Sequence, residues 1–164
     1  MLNFTKILLD GSVLSVLASI TILGILRFNP RLFLQDYPAK IQEQVPPKDD
    51  QEKLFSLLLG IPFLVLLFVV PFLSTLSLAK QVGDERFLSL FINAFGVVFI
   101  FNLVDLLILD WLLFCLITPD FLIIPGTKGM QAYKDYRFHF RAFLIGTVIS
   151  TIAGLGIAGI VLIL

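Results

Sequence analysis

The run FLSLFINAFGVVFIFNLVDLLILDWLLFCLI, from Phe87 to Ile117, decides the fold. It holds about 30 nearly unbroken apolar residues, or roughly 45 Å of α-helix, against a hydrocarbon thickness of roughly 30 Å. A run of that length reads as one membrane-crossing helix that tilts or projects into the headgroups. Dividing it in two would need a turn near Asp105, where Val104-Asp105-Leu106-Leu107 offers no Gly, Pro or Asn to make one.

Outward from this run, three more apolar stretches have spanning length, at about residues 7–26, 54–79 and 140–164. Of the 164 residues, 58% are hydrophobic with glycine uncounted, whereas a soluble domain reaches roughly 45–50% with glycine included. The expectation is an all-α integral membrane protein: one transmembrane domain over residues 1–164, built as a bundle of four transmembrane helices with interfacial loop segments. Lys6 followed by an apolar stretch resembles a secretion signal, but no small-x-small cleavage site follows and Arg27 and Pro30 come next. The first stretch therefore reads as a retained span.

The connections carry their own signals. Pro30, Pro38, Pro46 and Pro47 divide the polar stretch that runs to Lys53, and Pro38 is placed to open a short helix toward Val45. Asp49 and Glu52 form a capping-box pattern ahead of Leu54. Pro62 and Pro71 fall inside the second span, where kinks are expected. A short link from Lys80 to Arg86, with Gly83, leads to the third span, which Thr118-Pro119-Asp120 ends. Phe121 to Ile124 is too short to cross and should lie in the interface or dip into the bilayer edge, and Pro125-Gly126 reads as a turn.

Twelve Lys and Arg balance twelve Asp and Glu, so no nucleic-acid partner is implied and the charges are read by position. The first and third loops hold nine of the cations and the opposite side only Lys6, Lys80 and Arg86. The positive-inside rule then puts both termini outside and both long loops in the cytoplasm. Compact loops suit a cell membrane of the bacterial inner-membrane type. A single cysteine, Cys115, and a single histidine, His139, leave no intrachain disulfide and no Cys/His zinc site. Neither metal nor cofactor is expected, and the partners are membrane lipids, with a homo-oligomer or a partner membrane subunit as a further option.

Chemistry is confined to a few places. The third span carries Asn93, Asn102, Asp105 and Asp110, and a central Asp costs roughly 2.5–3.5 kcal/mol on insertion scales. At about 100° per residue Asp105 lies one turn from Asn102 on nearly the same face, while Asp110 is turned some 140° away. The two carboxylates are therefore not expected to act as a pair. Asp105 reads as packing glue bonded to Asn102 or as a proton or cation site, and Asp110, next to Trp111, as the partner of Arg137 or Arg141.

In the third loop, Tyr133, Tyr136 and Phe140 would share one helical face and Lys134, Arg137 and Arg141 the next, a pattern for contact with lipid headgroups. Gly126-Thr127-Lys128-Gly129 offers a weak phosphate cradle without P-loop spacing. His139 with Asp110 or Asp120 is the weak candidate for catalytic proton transfer, and no activated Ser or Cys accompanies it. Gly146, Ser150, Gly154 and Ala158 stand at four-residue spacing along the last span, a small-residue stripe for close helix packing. The leading functional expectation is a non-enzymatic accessory or lipid-interacting bundle. A small transporter or channel subunit using Asp105 is the second, and a membrane enzyme using His139 with a nearby carboxylate the third.

Overall fold

A computed structural model describes residues 3–82 and 86–164, so Gly83 and the two residues after it in the expected link lie outside the described residues. Helix α1 spans Phe4–Phe28 and opens on Asn3, whose side chain accepts the Lys6 N–H at 3.0 Å. Asn29 and Pro30 end it, and the Asn29 side chain accepts the Arg31 N–H to start a 3₁₀ stretch over Pro30–Asp36. The short α2, Ala39–Gln42, follows Pro38.

Helix α3, Asp50–Val82, begins with the reciprocal bonds of a capping box: Glu52 N–H to Asp49 Oδ1 at 2.7 Å and Asp49 N–H to a Glu52 carboxylate oxygen at 3.1 Å. It continues without interruption through Pro62 and Pro71. Helix α4 covers Phe87–Val104, and the same rod continues as a π-helix over Asp105–Ile117. Thr118, with φ of 47°, ends it. Helix α5 runs Tyr136–Ile163, starting a turn earlier than the hydropathy suggests because the Asp135 side chain caps it through the Phe138 N–H.

Four of these rods are long and apolar enough to span a bilayer. The chain is an all-α membrane bundle, and its outward faces are rows of exposed Leu, Ile, Val and Phe that water could not solvate cheaply. Helix α4 is the central rod, and α1 meets it through a reciprocal fit of small and branched residues. A Cβ on Gly11 would sit 2.8 Å from Ile100, and one on Gly96 would sit 2.7 Å from Ile7. On the other flank α5 lays its small-residue stripe on α4. A Cβ on Gly146 would collide with the Asn102 amide, and one on Gly154 would meet the Phe95 backbone at 3.1 Å. Ser150 and Ala158 are buried along the same line. Close approach of backbones supplies the dispersion contacts that replace a hydrophobic drive in lipid.

At the end of the bundle holding the N-terminus of α1, the Asp10 carboxylate accepts from Lys6 at 2.7 Å and from Ser74 at 2.5 Å. Asn93 Nδ2 donates to Ser74 and Thr75. Asn93 is thereby assigned to an interhelical polar knot. At the opposite end the first and third loops interlock: buried Tyr37 donates its hydroxyl to the Leu122 carbonyl at 2.9 Å, and its ring meets Phe114 and Tyr133 edge-on.

The structure refines one local expectation for the third loop and corrects two. Leu122 and Ile124 do not lie open on the surface but are buried against this aromatic plug, where the Tyr37 and Tyr133 hydroxyls satisfy the Leu122 carbonyl and the Ile124 N–H. Residues Gly126-Thr127-Lys128-Gly129 are a tight turn with two left-handed glycines, Thr127 is buried on Tyr133, and Lys128 pairs with Asp120, so no phosphate cradle forms. Asp135 breaks the supposed loop helix, which puts Tyr133 inside while Tyr136 and Phe140 stay exposed.

Candidate functional site

Beside the aromatic plug lies a cavity of about 310 Å³. Its walls come from α1 (Ile22, Leu26), the π-helix (Asp105, Leu109, Asp110) and α5 (Phe138, His139), and the first loop supplies Gln35, Asp36 and Tyr37. Most of the lining is apolar, yet three carboxylates and one imidazole face it, and no Lys or Arg among the described residues lines it. Few, convergent polar groups in an apolar concavity are the usual form of a small-molecule site.

The π-helix makes this convergence. In an α-helix Asp105 and Asp110 would diverge, but π geometry bonds each residue to the one five positions away and so stacks positions i and i+5. The pattern closes with the Thr118 N–H donating to the Leu113 carbonyl at 2.8 Å. Asp105 and Asp110 consequently open onto one cavity, and the expectation that they point apart is corrected.

Two further pairings differ from the sequence reading. Asp110 bonds His139, with Oδ1 2.9 Å from Nδ1, and not Arg137 or Arg141. The imidazole enters the bundle between Phe114 and Phe138 while the two arginines, on other faces of α5, stay exposed. Asn102 donates to the Phe143 carbonyl and Thr147 hydroxyl, both at 3.1 Å, and not to Asp105. Asp105 is left without a hydrogen bond among the described residues, so packing glue does not describe it. Asp120 pairs with Lys128 at the surface at 3.0 Å and is not the partner of His139.

His139 is 3% exposed, and its Nε2 has no hydrogen-bond partner among the described residues. Placing the ring proton on Nδ1, where Asp110 accepts it, leaves Nε2 as a bare acceptor and avoids an unpaired buried N–H. Trp111 packs edge-on against Tyr136 with centroids 5.9 Å apart.

Hydropathy gave no hint of Asp36, because loop one brings it in: the turn through Tyr37, the bolt to Leu122 and the following Pro38 fold it back over the bundle end. Much of Asp36 is still reached by solvent at the cavity mouth, yet the chain packed round it pushes its carboxyl above the usual range. The Gln35 amide and Lys48 pull the other way, and Asp110 adds to the rise. Lys48 is held in place by the Leu32 carbonyl, Ser56 and Gln35, and loss of water lowers its pKa. Arg31 grips Glu52 with two bonds, at 2.6 and 3.0 Å, which raises its own pKa and ties loop one to the start of α3.

Outside the cavity, behind Phe138, a wider groove is lined by Lys40, Lys134, Arg137 and Arg141. Tyr133, one of the expected headgroup contacts, is inside the plug, and Tyr136 is exposed beside the groove. Among the described residues no group of three or more His, Cys, Asp and Glu side chains has metal-binding geometry. No protein-family model, curated protein or solved structure matches the chain.

Proposed function

We propose that this chain is a non-catalytic membrane protein that captures a small organic cation, an amine on an apolar body, in the cavity under the first loop, as a transporter or accessory subunit would. One observation carries the reading: Asp36, Asp105 and Asp110 face a largely apolar space whose only basic side chain among the described residues is His139. The cavity gathers three carboxylates with no Lys or Arg among the described residues that line it, and carboxylates taken from water need a counter-charge or a proton. An ammonium group supplies the charge and its apolar body fills the rest. Catalysis is the weaker reading, because among the described residues the lining has no Ser, Thr or Cys nucleophile and the Tyr37 hydroxyl is engaged by Leu122.

The test is equilibrium binding of phenethylamine to the protein in nanodiscs, with the isosteric neutral alcohol as the comparison. Saturable amine binding that falls at least tenfold in Asp105→Asn, with the alcohol left unbound, is the expected result. Equal binding of amine and alcohol, or an unaffected Asp105→Asn variant, overturns the proposal.

The same reading puts the cavity mouth in the cytoplasm, in a membrane of the bacterial inner type, on the distribution of Lys and Arg. In a Cys115→Ala background, a cysteine at position 44 should label only from the cytoplasm and one at position 83 only from outside. The reverse pattern inverts the molecule.

A further inference from the structure

We infer that the groove behind Phe138 is a binding site for the phosphate of an anionic phospholipid, separate from the amine cavity. Four cations reach it from two distant parts of the chain: Lys40 from α2, and Lys134, Arg137 and Arg141 from the third loop and the first turns of α5. All four are exposed, and none makes an ion pair or hydrogen bond through its side chain to another described residue. The one acid in the lining, Asp135, spends its Oδ1 on the Phe138 N–H as the cap of α5. Four cations against one carboxylate leave a net positive field whose natural complement is a phosphate, and the two arginines present planar donors suited to its oxygens.

The shape of α5 selects a lipid over a soluble phosphate. Arg137 and Arg141 stand one turn apart, and Leu144, Ile145, Val148 and Ile152 continue below them as exposed apolar residues. At helical spacing these form a strip running from the cations into the hydrocarbon. A phosphodiester seated on the arginines therefore has its acyl chains lying along α5 without crossing polar protein. A soluble phosphate would use the upper half of this arrangement and leave the strip unexplained.

Lipid retention through detergent exchange, read by native mass spectrometry of the full chain, tests the inference. The probes are phosphatidylglycerol and phosphatidylcholine supplied in equal amounts, with soluble glycerol 3-phosphate as competitor. Phosphatidylglycerol should be retained preferentially, and Arg137→Gln with Arg141→Gln should cut that preference on the order of tenfold or more, since each cation near an anionic surface adds to the attraction. Replacing both arginines by Lys should restore part of the preference in a protein with the same elution profile. The control removes two cations at the same end outside the groove, Arg27→Gln with Lys128→Gln, and should change the preference little. Equal losses in the two double variants would mean diffuse surface charge and overturn the site. Displacement of the lipid by glycerol 3-phosphate at matching concentration would overturn the lipid assignment. Neither result bears on amine binding in the cavity, so the two proposals fail separately.

Discussion

At the scale of single residues, the cavity depends on which carboxylates stay charged. The Asp36 carboxyl is held above the ordinary range, chiefly by loss of water around it. A carboxyl whose folded pKa is raised favours the folded state at low pH, and that contribution is lost as pH rises through the folded value. Asp36→Asn should therefore melt at a higher temperature than the parent at neutral pH, with the difference shrinking as pH falls toward about 4, the ordinary carboxylate value. The same substitution should weaken amine binding, because it removes one of the cavity's negative charges. Binding by the parent should fall on acidification, beginning above the range where unperturbed carboxylates take up protons. A binding isotherm at several pH values beside a melting series checks both halves. A variant that is less stable at neutral pH, or that binds amine as before, refutes this account of Asp36.

At the scale of the helix, the stripe on α5 and the π stretch after α4 are two ways of bringing rods and side chains into contact. Gly154 faces the Phe95 backbone at 3.1 Å, whereas Gly156 has open space around its Cβ position. Gly154→Leu should lower the melting temperature in detergent by the equivalent of about 1–3 kcal/mol or more, the range for overpacking a filled interface. Gly156→Leu makes the same chemical change on a face pointing outward and should cost much less. Matching melts for the two variants would mean that α4 and α5 do not approach as closely as described. The stripe was legible because small residues at strict spacing are a packing pattern whatever their partner. The fit of Gly96 under Ile7 was not legible, since Gly96 belongs to no small-residue repeat within its own helix, whereas Gly11, which fits under Ile100, opens a four-residue spacing with Ser15 and Ser19 that carried the same signal as the α5 stripe and was missed. The π-helix was also hidden: Val104-Asp105-Leu106-Leu107 contains no Gly or Pro to announce a change of helical pitch. The widened turn shows only in which carbonyl each N–H meets.

At the scale of the whole molecule, the two loops close one end of the bundle and so build both candidate sites. The bolt between them is the Tyr37 hydroxyl on the Leu122 carbonyl. Tyr37→Phe keeps the ring contacts but leaves that carbonyl without its donor, which costs about 1–3 kcal/mol for a buried group. Limited proteolysis should then cut the third loop faster than in the parent while the transmembrane helices keep their circular dichroism. Unchanged cleavage would mean that the aromatic stacking alone holds the loops. By itself, the sequence determined the membrane class, the four spans, the stop at Thr118 and the capping box at Asp49, because each follows from apolar length or from side chains within a few residues of one another. Only the tertiary structure decided that Asp36, Asp105, Asp110 and His139 share one cavity and that Lys40 joins the arginines of α5. Those groups lie up to about a hundred residues apart in the chain, and hydropathy records how each residue partitions between water and lipid, not which distant residue it faces. Their meeting depends on the i to i+5 turn and on loop one folding back to Leu122, and both are set by packing contacts that no local pattern encodes.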